Sequence, residues 1–531
     1  MKLPRINDHD VHAWGLRENA LHWGDLLKRY PPEARSKGNR ILLIAAYPWI
    51  MSSIVAYAVL LRRLGHHPTV LWMPVTDGIQ DPDKPTVAAM DKEFADMTGP
   101  LAEVGIGIER LNTLLQIPLP TAFMLKVAEA ARRDYLYTYH LDQCDQLADP
   151  FFYGFRFQRN LRLACNMAYF LSVHEFDTII NVNGTVNEFG IINAYLAELG
   201  LPRYNIEAAN VRRVFVSANK PIGMLDMHGA WDHEAVHVYD EDIEASYAAL
   251  WEQRAGVAYW EEHCVLPLQR TSMAASLPLL DTTGRRLALL CTTVAWDSIA
   301  LAATSAFKSM LDWVANTIEH VRGHDKLSLI VRVHPAESMV PQGEYTADFL
   351  AKRFPELPPH IVVVPPDAPV NTYALMVRAD MGLTYMSTSG FEMASRGIPV
   401  LTPMCAHYTG KGFAEHAETA PDYFRRLDEL ADPARDIRLR PDQMGQARCF
   451  YEMFFNRVQK KVPWSFQRLE GEYGDPEMED VLADKDLLGT RATFELLAEP
   501  FSAYEGIVVD PRPRHADGLG REGREPSEGM M

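Results

Sequence analysis

Short apolar runs alternate with segments of helical period along most of the chain. Arg40 to Ala46 (RILLIAA) has the look of a buried parallel strand. Tyr47-Pro48-Trp49 breaks it, Ser52 and Ser53 offer N-caps, and Ile54 to Leu64 reads as a helix closed by Gly65. Thr69 to Met73 is the next strand, which completes a βαβ unit with a right-handed crossover. The unit recurs as strand Phe176 to Val182, turn Asn183-Gly184-Thr185 and helix Glu188 to Leu199, followed by a short strand Tyr204 to Glu207. The stretch between, roughly 85–175, reads as helical and carries little signal.

The pattern restarts at Arg286 to Thr292 (RLALLCT). A helix is expected over Ser305 to Arg322, with Phe307, Met310, Leu311, Trp313, Val314 and Ile318 on a helical period. Strands are expected at Leu327 to Val333, Ile361 to Val364, Met381 to Tyr385 and Pro399 to Thr402, with helices at Asn371 to Arg378 and Phe391 to Arg396. The fold class is therefore α/β: two Rossmann-like domains with parallel sheets facing a central cleft. The expected divisions are a leader over 1–37, a first domain over 38–280, a second over 281–434, a helical extension over 435–499 and a disordered tail over 500–531.

Composition narrows the function. A chain of 531 residues exceeds one ordinary core. The balance of 52 basic against 70 acidic residues, a net −18, argues against nucleic acid as the main partner. It leaves room for a local basic pocket. The six cysteines show no C-x-x-C pair and no zinc spacing, so they read as reduced thiols. Met1 to Gly38 lacks a secretory apolar core and no run is long enough to span a bilayer, which places the chain in the cytoplasm. No P-loop, no G-x-G-x-x-G after the first strand and no G-x-S-x-G elbow is present. No D-x-D pair sits at a strand end, so no metal and no cofactor is expected at the site.

Three strand ends of the second half carry groups able to bind an anion. Arg332-Val333-His334-Pro335-Ala336-Glu337 offers a forked cation and an imidazole, although Arg332 paired with Glu337 and His334 as a turn residue is an equal reading. Ser387-Thr388-Ser389-Gly390 ends in a helix start, an anion site or a plain N-cap, with Gly390 admitting a ligand and Glu392 able to accept from ribose. His407 to Phe413 (HYTGKGF) sets Lys411 between two glycines, a mobile cation or a solvated lysine. In a parallel sheet these ends converge on one edge. Tyr47-Pro48, Asn183-Gly184 and Glu207 follow first-half strands in the same sense, and Glu207 is either a general base or a solvated carboxylate. Asp297, after Trp296, is equally open.

The second half resembles the bacterial capsule polysaccharide biosynthesis proteins, glycosyltransferase-like proteins of GT-B fold. The matching pieces are Ala295-Trp296-Asp297, Phe307 to Trp313, Arg332 to Glu337, Asn371-Thr372-Tyr373, Thr384 to Glu392, Gly397 to Val400 and His407 to Phe413, in order. The first half matches more loosely, at Asn183-Gly184 and Tyr204 to Glu207. The resemblance implies transfer of a sugar from a nucleotide donor to a growing surface glycan, free or lipid-linked, without a metal. It implies His334-Pro335 and Ser387-Thr388-Ser389 at the donor phosphates. Read from the residues themselves, Arg332, Gly390, Glu392, His407 and Lys411 are expected around them, with His334 and Glu207 as the groups of catalysis. A lipid-linked acceptor would place the protein peripherally at the inner face of the membrane. A sugar-nucleotide epimerase of the same fold, and a non-catalytic glycan-assembly subunit, are the alternatives.

Overall fold

Two sheets form where the apolar runs fall. The computed structural model describes residues 16–73, 75, 78–112, 114–141, 148–209, 212–222, 227–233, 237, 239–255, 280–294, 305–338, 344–464, 476–500 and 504–510. The first half supplies strands β1 (Arg40–Ala45), β2 (His67–Trp72), β3 (Gly107–Arg110), β4 (Thr178–Val182), β5 (Arg203–Ala208) and β6 (Arg213–Ala218). The second half supplies β7 (Arg286–Cys291), β8 (Leu327–Arg332), β9 (Ile361–Val364), β10 (Met381–Thr384), β11 (Val400–Thr402) and β12 (Glu415–His416). The C-terminal chain adds β13 (Gln459–Lys461) and β14 (Gly506–Ile507).

The second sheet has the order β12-β11-β10-β7-β8-β9 and is parallel throughout. The first sheet has the order β13-β6-β5-β4-β1-β2-β3, with β14 also paired to β6. Its five strands from β3 to β5 are parallel, whereas β6, β13 and β14 run antiparallel to their neighbours. Each sheet reverses its strand order once, between β1 and β4 in the first and between β7 and β10 in the second. In a doubly wound sheet that reversal opens a crevice at the carboxyl ends of the strands, where ligands bind.

Local chemistry explains where the elements differ from the sequence expectations. Pro48 does not merely break the first run. It stands in the first turn of helix Pro48–Arg63, where its missing N–H costs nothing, and Tyr47 is the N-cap. The helix expected from Ser305 starts instead at Met310, because Ser309 accepts from the Asp312 N–H at 3.0 Å and so caps it there. Its buried face, Met310, Trp313, Val314, Thr317, Ile318 and Val321, lies against the second sheet. Among the described residues no helix is long and apolar enough to cross a membrane.

The second core takes in residues placed by the sequence reading in the first domain. Phe215, Ile222, Trp231 and the helix Glu241–Arg254 all belong to it. Tyr247 meets Tyr451, Trp251 meets Tyr373, and Arg254 lies over Phe455. The tail also needs correction: residues 506–507 are sheet strand, because β6 would otherwise be an open edge there. The rest of that expectation, 511–531, lies outside the described residues, as do Ala295-Trp296-Asp297 and residues 1–15 of the leader.

Candidate functional site

Strand pairing sets Thr384, Cys291, Arg332 and Val364 in one row at the carboxyl edge of the second sheet. The loops after these residues form the crevice. Thr292 accepts the His334 N–H through Oγ1 at 2.9 Å, which ties the loop after β7 to the loop after β8. The Thr384 and Tyr408 hydroxyls are 2.7 Å apart, which ties the loop after β11 to β10. Trp313, fully buried, supports Tyr385 from beneath.

Arg332 is 2% exposed. Its guanidinium donates to the carbonyls of Pro365 (2.5 Å) and Val370 (3.5 Å) and to Thr372 Oγ1 (3.3 Å). It therefore holds the turn before helix Thr372–Met376 in place. Glu337, the partner that one reading assigned to it, instead accepts from the N–H and hydroxyl of Thr346. Among the described residues no carboxylate lies within ion-pair distance of Arg332. Burial lowers the pKa of this cation, with the Cys291 thiol and, from beyond ion-pair distance, Asp367 acting the other way.

His334 is half-buried beside it. Burial, reinforced by the Arg332 charge, pushes its pKa down to about 4, so the ring is neutral near pH 7. Nδ1 accepts the Ala336 N–H at 3.2 Å. The proton must then sit on Nε2, which has no hydrogen-bond partner among the described residues. The result is a neutral donor held in place in front of a buried positive charge.

The loop after β10 is nearby but simpler than expected. The helix it opens, Ser389–Ala394, is a short one of 6 residues, so it brings little dipole. Ser387 Oγ accepts from the Ser389 N–H at 3.3 Å, and Thr388 makes no side-chain cap. Ser389 Oγ is buried beside the Cys291 thiol, whose pKa burial raises to about 12. Gly390 is glycine for packing: a Cβ there would overlap the Tyr408 hydroxyl. It does not make room for a ligand.

Three expected site residues are used elsewhere. Glu392 is buried and accepts from Arg254 Nε at 2.9 Å, so its carboxylate is paired within the core rather than turned to a ribose. Lys411 is 6% exposed with Nζ 5.9 Å from the Trp231 ring, not a mobile cation. His407 stacks on Phe454, and burial followed by the charge of Lys411 lowers its pKa to about 3. These three pack within the second core, against Trp231, Arg254 and Phe454.

The reversal point of the first sheet holds a group that the sequence reading missed. Arg156 and Arg159 lie on helix Pro150–Val173, buried with Asp134 and Glu188. Arg156 donates to Asp134 from Nε (3.0 Å) and Nη2 (2.8 Å), and to Glu188 from Nη1 (2.9 Å). Arg159 Nε lies 2.8 Å from the same Glu188 carboxylate, and Tyr47 donates its hydroxyl to it. Asn160 donates to Asp134 at 2.8 Å. Burial alone would raise the Glu188 pKa, but Arg156 and Arg159 outweigh it and hold it at about 2. The signal was present in the sequence: Arg156, Arg159 and Asn160 share the helical stripe of Phe152 and Leu163, which the core buries.

Glu207, half-exposed at the end of β5, accepts from Asn183 Nδ2 at 2.5 Å and from the Ala208 N–H at 3.0 Å. Asn183 has a left-handed backbone (φ 57°), and its Oδ1 accepts from the Thr185 and Val186 N–H groups. The next residue must be glycine, since a Cβ on Gly184 would strike the Asn205 amide. Glu207 and Tyr47 therefore lie at the same edge of the first sheet, on strands separated by β4.

No family model matches the chain. No curated protein matches it either. Among solved structures it is similar to a β-Kdo 2,4 transferase, KpsC of Thermosulfurimonas dismutans, at 15% identity over 52% of this chain and 79% of that one, TM-score 0.33. A KpsC β-Kdo 2,7 transferase of the same organism is 13% identical over 61% of this chain and 88% of that one, TM-score 0.32. The UDP-GlcNAc 2-epimerase of Neisseria meningitidis, solved with UDP-GlcNAc, is 10% identical over 78% of this chain and 98% of that one, TM-score 0.24.

Proposed function

We propose that the protein is a glycosyltransferase that takes a sugar from a nucleotide donor and passes it to a growing surface polysaccharide or a related glycan, free or lipid-linked. The observation that carries this reading is the pair at the end of β8: a buried Arg332 without a carboxylate partner, and a neutral His334 with its Nε2–H open. A donor phosphate supplies the missing negative charge and accepts that proton's hydrogen bond. Ser387 and Thr388 add hydroxyl and backbone donors from the loop after β10. As the bond to the sugar breaks, charge grows on the leaving nucleotide, and fixed donors favour that charge more than the ground state. No step in this scheme calls for a metal.

The acceptor side is assigned to the first sheet. Glu207 is the proposed base, taking the proton of the attacking hydroxyl, with Asn183 fixing its orientation. The polysaccharide assignment rests on the motif resemblance. Lys411, Glu392 and His407 are not assigned to the donor.

The test is a thermal-shift series with CMP, UDP, GDP and ADP, followed by incubation with the sugar form of whichever nucleotide stabilises the protein. Stabilisation by one nucleotide is expected, since a ligand that binds only the folded state raises its stability by mass action. No stabilisation by any of the four rejects the donor site. A sugar nucleotide interconverted in the absence of acceptor rejects transfer in favour of epimerisation.

A further inference from the structure

The edge of the second sheet opposite the proposed donor site carries a group that the function does not use. Helix Met310–Arg322 runs between β7 and β8, so its last turn lies at the amino ends of the strands, away from Arg332 and His334. His320 is in that turn, and His324 follows Gly323, which caps the helix. Four residues apart, the two imidazoles fall on one side of the chain. Asp428, on helix Ala420–Ala431, faces both. Its Oδ1 is 2.6 Å from His320 Nε2 and 3.5 Å from His324 Nε2.

We propose that His320, His324 and Asp428 form a binding site for a divalent transition-metal ion of the zinc type. One ligand atom from each of the three lies within 4.8 Å of the others. Imidazole nitrogen with carboxylate oxygen is a donor set that zinc, cobalt and nickel accept. Ligand atoms about 2.0–2.1 Å from a tetrahedral ion stand about 3.3 Å apart. The 3.5 Å separation already fits, and the 2.6 Å one has to open by less than an ångström. Stacking of the His320 ring on Phe424 at 4.5 Å fixes the first ligand. The side chains are 24%, 16% and 50% exposed, so an ion can enter and water can fill the remaining position. The ion would join two helices that otherwise meet here through a hydrogen-bonded imidazole and carboxylate.

Two local bonds have to yield, the first being the His320 Nε2–Asp428 Oδ1 hydrogen bond that the ion replaces. His324 Nδ1 accepts the Lys326 N–H at 3.0 Å, which puts the ring proton on Nε2. Coordination through Nε2 moves that proton to Nδ1, and the Lys326 amide must turn away. The Lys326 amide is therefore a reporter of binding.

The experiment uses the full chain, stripped with a chelator, and titrates zinc by calorimetry and cobalt by visible absorption. The expected result is one saturable site per chain. His320→Ala or His324→Ala should each weaken it by more than about tenfold, and the double variant should abolish it. The midpoint of thermal unfolding should rise with zinc in the parent and not in the double variant. With nitrogen-15 lysine labelling, the Lys326 amide resonance should move on zinc addition. No saturable binding, equal binding in the double variant, or an unmoved Lys326 amide overturns the proposal. Both imidazoles are partly exposed, so the variants should fold, and unchanged far-ultraviolet dichroism checks that they do.

Discussion

The two sheets each have a reversal crevice, and the two crevices handle buried charge in opposite ways. In the first, Asp134 and Glu188 balance the charges of Arg156 and Arg159, and Tyr47 and Asn160 add hydrogen bonds to the carboxylates. In the second, Arg332 is buried on backbone carbonyls and a hydroxyl, with a neutral imidazole in front of it. A balanced group offers nothing further to an anion. An unbalanced one is completed by an anion. The proposed function uses this difference: it puts the charged half of a substrate at the second sheet and the hydroxylic half at the first.

The largest expected effect breaks the balanced side. Arg156→Ala leaves two carboxylates buried with only Arg159 between them, and it should cost about 3–5 kcal/mol of unfolding free energy by denaturant melts. A loss below about 1 kcal/mol would mean that the group is not a closed network. Nucleotide stabilisation of the surviving folded protein should persist, because the donor is held elsewhere.

A smaller effect is expected on the unbalanced side. His334→Ala removes a donor to a charged phosphate, and nucleotide binding should weaken by about tenfold to hundredfold. Stability without nucleotide should change by about 1 kcal/mol or less, since only the Ala336 N–H loses its partner. Unchanged affinity would remove His334 from the site and leave the comparison resting on Arg332 alone.

The smallest expected effect is an absence of titration. A cationic histidine donor would lose affinity for phosphate as pH rises through 6.5, its ordinary value. His334, with its pKa at about 4, is already neutral there, so affinity for a nucleotide sugar, whose esterified phosphates do not titrate in that range, should stay flat from about pH 6 to 8. Stability behaves differently below that range. Between pH 6.5 and about 4 the unfolded chain binds a proton at His334 that the folded chain refuses, so stability should fall as pH drops through that window. His407, at about 3, extends the fall in the same direction.

The two α/β halves and most of their parallel strands were readable because each βαβ unit writes its own pattern of buried strand, turn and amphipathic helix. The site was readable only in part. Arg332 and His334 are adjacent to a strand end, and the position of that end decides where they lie. Glu392 and Lys411 are ionisable residues in the same kind of position, yet Arg254 and Trp231 claim them. Those partners come from a segment distant in sequence, which no local pattern reveals. The Arg156 group was hidden for a related reason. Its members come from three helices and one strand end, and each looks like surface charge until the helices pack.

One feature of the chain's route bears on how it is made. Strand β6 is bordered by β13 and β14, which come from residues 459–461 and 506–507. During synthesis the first sheet can assemble its parallel part early, but the far side of β6 stays bare until nearly the whole second domain has left the ribosome. An open strand edge recruits other strands. A truncation before residue 459 should therefore give an aggregating first domain, however complete its βαβ units are. A strand laid down late in the chain thus borders the sheet whose first strand is laid down early.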